Sequence, residues 1–265
     1  FTEYVGKSEI KMKKKNTVVF IDYFEDHSFE LLKQLVKSKL FFPRVIICRK
    51  KTPKNLMIKK LSSLKITSNI FFENKPEQNK KISLLTKKYE ITTGFIFSYP
   101  FILSKIFIKK FKFGLINCHP AIISDIKGSH SAFWTIFKER KIGCSIHFLN
   151  SKIDSGAIID THIIKLKGLV LADEVFSQSR KALKYLLKKN LKKIWQGRVE
   201  KYQNKPSKIY FKKDIDKEVN LNMKRSIKIK KLFNILRATH INDNGIFFLE
   251  KRKKYKLISN LKEIF

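Results

Sequence analysis

The sequence predicts an α/β domain with a mostly parallel sheet, followed by a small α+β appendage at the carboxyl end. Short apolar runs rich in β-branched residues, such as TVVFI at 17–21 and RVIIC at 44–48, are typical of strands buried on both faces. Amphipathic segments with helical spacing separate these runs, and this alternation indicates parallel strands joined by helices. At 265 residues the chain is long enough to bury a sizeable core.

The elements of the first half follow from this alternation. Strands are expected at 17–21, 44–48, 69–72, 93–98 and 114–118. Apolar residues recur every three or four positions between them, which predicts helices at 29–40, 56–64 and 78–89. The second half continues with a helix at 129–140, strands at 144–149 and 157–164, a long helix from 170 to about 187, and another ending at Trp195.

The pattern loosens at 203–206, where we place a domain boundary. This divides the chain into an N-terminal extension at 1–15, a main α/β domain at 16–205 and an appendage at 206–265. Met12 is a candidate start, which would leave 1–11 as residues of cloning origin. The appendage is expected to contain an extended run at 208–212, a helix at 227–238 and a terminal β-hairpin formed by 245–249 and 255–258.

The charge is strongly positive: 58 Lys and Arg against 22 Asp and Glu give +36. Such a charge raises the question of a polyanionic partner. However, the excess is nearly all Lys in a chain also rich in Ile, Phe and Asn, and no zinc finger or aromatic RNA-binding motif accompanies it. We interpret the charge mainly as compositional drift, so nucleic acid is not the expected partner. No signal peptide and no apolar stretch long enough for a transmembrane helix is predicted.

Three cysteines, Cys48, Cys118 and Cys144, argue against a disulfide framework and fit a reducing cytoplasm. They contain no CxxC pair, so no metal site is expected. Cys118 lies between Asn117 and His119, but side chains alternate along a strand, and it is expected to point away from both. We interpret it as a buried structural thiol.

The turn after the first strand reads DYFED at 22–26 and contains no glycine. Dinucleotide and ATP sites at this position depend on glycines that let backbone N–H groups approach phosphate. NAD, FAD and ATP are therefore disfavoured, and the acidic side chains would repel a phosphate.

Three polar residues suit acyl transfer. Asn117 and His119 end the fifth strand, and Asp154 follows after a helix and another strand. The carboxyl ends of strands are where α/β proteins place their chemistry. Asn117 can donate to a developing oxyanion, His119 can carry a proton, and Asp154 can orient His119. His147 is expected to support this group rather than to react.

The ordered motif around these residues resembles the formyltransferase family that uses N10-formyltetrahydrofolate. It consists of Asn117, His119-Pro120-Ala121-Ile122-Ile123, Lys127-Gly128, Trp134, Gly143-Cys144-Ser145-Ile146-His147 and Asp154-Ser155-Gly156. The resemblance covers about 16–200 and implies a Rossmann-like catalytic domain in which Asn117, His119 and Asp154 are catalytic. It implies folate contacts from Ser98, Tyr99, Phe101, Ile102, Leu103, Ile122, Ile153 and Asp154. For the second substrate it suggests Lys127, Gly128, Ser129, His130 and Tyr210, with Lys127 pairing a diphosphate and Tyr210 stacking on a base.

The tail is most similar to that of sugar-nucleotide N-formyltransferases. This similarity implies a homodimer that formylates a nucleotide-linked amino sugar, with dTDP-4-amino-4,6-dideoxyglucose the favoured acceptor, for O-antigen or another surface glycan. A methionyl-tRNA formyltransferase with a shortened C-terminal domain is the alternative enzyme. An alternative of another class is a basic nucleic-acid-binding protein without catalysis on the same scaffold.

Overall fold

Alternating strands and helices make up most of the chain. The computed structural model describes residues 13–222, 226–239, 246–250 and 253–257. The strands are β1 (Lys15–Ile21), β2 (Phe41–Cys48), β3 (Asn69–Phe72), β4 (Gly94–Phe97), β5 (Leu115–His119), β6 (Lys127–Gly128), β7 (Gly143–Phe148), β8 (Ile158–Ile163), β9 (Ile209–Tyr210), β10 (Asn220–Asn222), β11 (Ile246–Glu250) and β12 (Lys253–Leu257). The helices are α1 (Asp26–Lys37), α2 (Lys54–Ser62), α3 (Lys80–Lys88), α4 (Lys105–Ile108), α5 (Ser131–Phe137), α6 (Ala172–Gln196), α7 (Lys212–Val219) and α8 (Ile229–Ala238).

The central sheet has seven strands in the order β3-β2-β1-β4-β5-β7-β8. The strands from β3 to β5 are parallel, whereas β7 and β8 run antiparallel. This confirms the predicted Rossmann-like fold class. The chain moves outward from β1 to β3 and then returns to the other side of β1 as β4. The direction of winding therefore reverses between β1 and β4, and such reversal points open a crevice at the carboxyl ends of the strands.

Helices cover both faces of this sheet. Val19 and Ile21 of β1 pack in the cluster that contains the apolar residues of α1 and α6. Val18 and Phe20 pack in the opposite cluster, which contains Ile82 of α3 and residues of α4. This alternation follows from the period of two along a strand, and it explains why β1 is apolar on both faces from Val18 to Ile21. No helix in the described ranges is both long and apolar enough to cross a membrane.

The prediction of two helices between Val170 and Trp195 is wrong, because α6 is one continuous helix. Asn190 lies in the second part of this helix, where its side chain is buried and donates to the Leu186 carbonyl at 2.9 Å and to Asp160 Oδ2 at 2.8 Å. These bonds satisfy the Asn190 amide within the helical conformation. The helix ends at Gly197, which adopts the left-handed conformation typical of helix termini.

The appendage forms a three-stranded sheet in the order β10-β11-β12, and the antiparallel pair β11 and β12 confirms the predicted hairpin. Helix α8 packs on α5. The extended run predicted at 208–212 is shorter, because Asp214 accepts the Phe211 N–H and starts α7 there. The sequence did not predict α4, α7, β6 or β10.

Strands β6 and β9 form a two-stranded parallel pair that joins the first part of the chain to the appendage. The boundary at 205/206 stays a prediction. The predicted N-terminal extension ends at Lys15, where β1 begins, and its residues 1–12 lie outside the described residues, as do Gly245 and Ile258 of the predicted hairpin.

Candidate active site

The carboxyl ends of β1, β4 and β5 open into one cavity of about 790 Å³. Asn117, His119 and Asp154 all line it, so the structure brings the three predicted catalytic residues together. The first two end β5, and Asp154 arrives from the turn between β7 and β8.

The Asn117 amide joins Asp154 to His147. Its Nδ2 donates to Asp154 Oδ1 at 3.2 Å and lies 3.0 Å from His147 Nε2. His147 is fully buried, and its Nδ1 lies 2.9 Å from the Phe148 carbonyl, which can only accept. We therefore assign the His147 proton to Nδ1, which leaves Nε2 to accept from Asn117. His147 thus orients Asn117, and Asn117 must release one of these bonds to donate to an oxyanion.

Asp154 is the centre of the hydrogen-bond network. Its Oδ2 accepts the Gly128 N–H at 2.8 Å, and its carbonyl accepts from Asn204 Nδ2 at 2.9 Å. Asp154 also adopts a left-handed φ of 44°, a conformation that these bonds hold in place. Burial opposes its ionised form, but His119, His147 and the Gly128 N–H outweigh it and hold the pKa of Asp154 well below its usual value.

His119 faces Asp154 with one nitrogen. Its Nδ1 lies 3.7 Å from Asp154 Oδ2, within reach of electrostatic attraction but longer than a hydrogen bond. Its Nε2 is buried and has no partner among the described residues. Burial lowers the pKa of His119 below 6.5, although Asp154 acts in the opposite direction. We assign the proton of the neutral ring to Nδ1, which leaves the Nε2 lone pair to accept a proton.

The lowered pKa of His119 predicts the pH dependence of turnover. Because only the neutral ring accepts a proton, we expect kcat/KM to stay level from pH 8 down to about 6.5 and to fall below that, through the lowered pKa. The free energy of unfolding should also decrease as the pH falls. The pKa of His119 is lower in the folded than in the unfolded protein, so the unfolded state takes up the proton first and is favoured at low pH. Circular dichroism at each pH separates the two effects. A fall in kcat/KM of the folded protein that begins above pH 7 would contradict the assignment.

Most of the residues predicted to contact folate lie on the cavity wall. They are Ser98, Tyr99, Phe101, Ile102, Leu103, Ile153 and Asp154. Phe101 and Ile102 are 37% and 66% exposed, which leaves apolar surface available to a flat ring. Ile122 does not line the cavity: it is buried, and its side chain lies behind β7, where it would meet a Cβ on Gly143.

The residues predicted for the second substrate divide into two groups. Gly128, Ser129 and His130 line the cavity. Lys127 does not, because its side chain is buried and its Nζ donates to the Lys205 carbonyl at 2.9 Å. Tyr210 is also buried, stacked on Trp134 with ring centroids 4.3 Å apart.

Sequence reasoning missed several cavity residues. Phe211, next to Tyr210, lines the cavity and is 40% exposed, and Lys212 follows it on the wall. Arg180 of α6 lines the cavity opposite the first turn, where Glu25 accepts from its Nη2 at 2.6 Å. No local sequence signal pointed to this pair, because Glu25 and Arg180 are 155 positions apart in the chain.

Cys118 is buried, as predicted, in the core cluster on the α1 and α6 face. Burial raises the pKa of its thiol far above the ordinary value and raises the pKa of Cys48 and of Cys144 to about 12. The thiolate is the reactive form, so none of the three is a nucleophile near neutral pH.

We therefore expect iodoacetamide to leave activity unchanged. Treatment of the folded protein at pH 8 should give no labelling at Cys48, Cys118 or Cys144 by mass spectrometry, whereas the same treatment in guanidinium chloride should label all three. Labelling of native Cys118 with matching loss of turnover would contradict this interpretation.

Comparison with known proteins supplies the remaining evidence. Residues 15–185 match the family described as formyl transferase. The bifunctional polymyxin resistance protein ArnA of Wigglesworthia glossinidia brevipalpis is 25% identical over 238 residues, which cover 89% of this chain and 32% of that protein. The chain spans well under half the length of the curated relatives it matches.

Two solved structures show the same fold. A 4-N formyltransferase from Francisella tularensis has a TM-score of 0.77 at 17% identity, covering 94% of this chain and 99% of that one. An N-formyltransferase from Helicobacter canadensis, in complex with folinic acid and dTDP-3-aminofucose, has a TM-score of 0.63 at 17% identity, covering 91% and 85%. The first likeness extends through the appendage, since it spans nearly the whole of both chains.

Proposed function

The chain belongs to the formyl transferase family, and from that premise we propose that it moves a formyl group from N10-formyltetrahydrofolate to the amine of a nucleotide-linked amino sugar. The convergence of Asn117, His119 and Asp154 on one wall of the cavity carries this proposal. The likeness of nearly the whole chain to a 4-N formyltransferase, and to an N-formyltransferase in complex with dTDP-3-aminofucose, supports the class of acceptor.

The residues perform three tasks in this reaction. N10-formyltetrahydrofolate supplies the electrophilic formyl carbon as the second substrate. The neutral Nε2 of His119 takes a proton from the attacking amine, and the nearby carboxylate of Asp154 stabilises the resulting imidazolium. Asn117, once it releases Asp154 or His147, donates to the formyl oxygen as negative charge develops there. His119 then returns the proton to the departing folate nitrogen.

The cavity fits two ligands of this kind. Phe101, Ile102, Leu103 and Ile153 offer an apolar wall for a pterin ring, in the role that the family resemblance implied for them. At the appendage, Phe211 offers an exposed aromatic face for a nucleotide base, in the role first expected of Tyr210. Lys212 supplies positive charge beside it for a diphosphate, the role first expected of Lys127.

A shortened methionyl-tRNA formyltransferase is the second candidate, and the net charge of +36 is the observation that favours it. That charge would strengthen binding to a polyanion at low salt.

The deciding experiment compares acceptors under one set of conditions. Purified protein is incubated with N10-formyltetrahydrofolate and either dTDP-4-amino-4,6-dideoxyglucose, other dTDP- and UDP-linked amino sugars, or charged initiator tRNA. We expect one amino sugar to gain a single formyl group, seen by product mass, with equal release of tetrahydrofolate. Formylation of tRNA alone would establish the second candidate, and salt-dependent tRNA binding without any transfer would favour a non-catalytic nucleic-acid-binding protein.

We further propose that the enzyme is cytoplasmic and that its product enters an O-antigen or another surface glycan. Three buried free cysteines support the location.

We also propose a homodimer formed through the appendage. Ile229 and Phe233 of α8 are 86% and 40% exposed, which leaves an apolar surface on that helix. Light scattering coupled to gel filtration should give twice the mass of the 31.3 kDa chain. Replacing both residues with Lys should return the mass of one chain, and a monomeric mass for the unmodified protein would contradict the proposal.

A further inference from the structure

A chain of polar side chains lies along the cavity wall on the α1 and α6 face, and the reaction steps above do not use it. Glu25 Oε2 accepts from Arg180 Nη2 at 2.6 Å. Arg180 Nε donates to His27 Nδ1 at 2.8 Å, and His27 Nε2 lies 2.7 Å from Ser98 Oγ. Three separate segments, the first turn with α1, the end of β4 and the middle of α6, meet in this chain.

The direction of each hydrogen bond follows from the chemistry of the groups. A guanidinium only donates, so His27 Nδ1 must accept from Arg180. Burial lowers the pKa of His27, although Glu25 acts in the opposite direction, so the ring is neutral and carries its single proton on Nε2. This proton is donated to Ser98 Oγ, which leaves the hydroxyl hydrogen of Ser98 free to be donated elsewhere. Because Ser98 lines the cavity, that hydrogen is available to a ligand.

Arg180 contributes a second available donor. Its Nη1 is buried and has no hydrogen-bond partner among the described residues, and the residue lines the same cavity. A buried donor without an acceptor is costly, which is the expected condition for a group that a ligand completes. Ser98 adopts a left-handed φ of 65°, a strained conformation for a residue with a Cβ that is typical of functional sites.

The charges around these donors favour a neutral ligand atom. Glu25 is paired with Arg180, and Asp22 with Arg49 at 3.2 Å, so the wall has no excess positive charge. A phosphate would meet two carboxylates at the first turn. A hydroxyl or acyl oxygen would meet two hydrogen-bond donors and no net charge.

The position of this wall indicates that its donors contact the acceptor sugar rather than folate. His27 and Arg180 lie on the face of the sheet covered by α1 and α6, whereas Leu103 packs on the opposite face with α3 and α4. The carboxyl end of β5, which carries Asn117 and His119, lies between these two faces. Given the proposed function, on which this inference rests, we propose that Ser98 and Arg180, held in place by His27 and Glu25, bind a hydroxyl or acyl oxygen of the acceptor sugar and position its amine beside His119. This replaces the contact with folate that the family resemblance implied for Ser98.

The test is a comparison of Michaelis constants for the two substrates. Ser98→Ala removes one oxygen and leaves the Arg180 pairing intact, and Arg180→Gln removes the second donor. Lys181→Gln is the matched control, since it deletes one positive charge from an exposed neighbouring position of α6. Melting temperatures establish that each variant is folded, and Ser98→Ala remains informative if Arg180→Gln is not.

We expect Ser98→Ala and Arg180→Gln each to raise KM for the amino sugar about tenfold, the effect of one lost hydrogen bond to a ligand. KM for N10-formyltetrahydrofolate should stay within about twofold, and Lys181→Gln should match the unmodified enzyme. An acceptor analogue that lacks the recognised oxygen should raise KM with the unmodified enzyme at least as much as either variant does, because it loses both hydrogen bonds, and Ser98→Ala should add no further loss with this analogue.

Each other outcome overturns the inference in a recognisable way. If the unmodified enzyme formylates an amino sugar but both variants leave its KM unchanged, or raise KM for folate instead, the proposed function stands and this subsite does not exist. If the unmodified enzyme formylates no amino sugar, the proposed function fails first and the subsite fails with it.

Discussion

Replacing His119 with Ala is expected to lower kcat by about 10²- to 10⁴-fold while leaving the protein folded, which is the range for loss of general acid–base catalysis. No other described side chain offers a neutral, buried nitrogen without a partner beside Asp154, because His147 uses both of its nitrogens in hydrogen bonds. Since His119 is not among the residues expected to hold either substrate, KM for folate and for the amino sugar should change little. Steady-state kinetics with both substrates varied gives the three parameters.

His162→Ala is the matched control for this experiment. His162 lies on β8 outside the cavity, half-buried against Tyr185 with ring centroids 5.7 Å apart, so its loss removes an imidazole from the same sheet without touching the site. Its kcat should equal that of the unmodified enzyme. A His119→Ala variant that is folded and keeps more than a tenth of the kcat would remove His119 from the mechanism and leave proton transfer to solvent.

Local sequence patterns were sufficient to predict the fold class and the meeting of the three candidate catalytic residues. The strands near Asn117 and His119 are apolar and short, and the three candidate residues lie within one ordered motif, so their meeting follows from neighbouring strands of one sheet. Arg180 could not be found in this way. It meets Glu25 and His27 across more than 150 positions of sequence, and a single arginine in an amphipathic helix carries no sign of the partner it will have.

The sequence also did not distinguish Tyr210 from Phe211 as the aromatic residue that faces the cavity. The sequence suggested an aromatic residue of the appendage for the base, but on an extended segment adjacent side chains point to opposite sides. The contact of Tyr210 with Trp134 decides which side faces the core, and the two are far apart in sequence. Without that contact, the choice between neighbouring aromatic residues had no physical basis.

The second large effect is expected at Gly128, where the active site and the appendage meet. Gly128 donates its N–H to Asp154 Oδ2 and pairs with Tyr210 across β6 and β9. It adopts a φ of 92°, and a Cβ at this position would lie 2.1 Å from the Tyr210 carbonyl oxygen. Gly128→Ala must therefore separate β6 from β9, because the clash is with backbone atoms, which cannot rotate away as the end of a side chain can.

This separation should remove activity by two routes. Asp154 loses a hydrogen bond that supports its charge, and Phe211 and Lys212 move away from the cavity with the segment that follows β9. We expect kcat/KM for the amino sugar to fall at least about 10²-fold, since misplacement of a substrate by 1 Å has effects of this size. KM for the sugar nucleotide should rise as well, which distinguishes the variant from His119→Ala.

Gly197→Ala is the control that distinguishes the effect of backbone strain from the effect of separating β6 from β9. Gly197 also has a left-handed φ, 70°, but the nearest atom to a Cβ there is a Phe113 ring carbon at 3.9 Å, so alanine fits without a clash. It should destabilise the protein by only about 1 kcal/mol through its backbone conformation and leave kinetics unchanged. If Gly128→Ala has the same small effect on melting temperature and kinetics as Gly197→Ala, then the pairing of β6 with β9 does not hold the appendage against the active site.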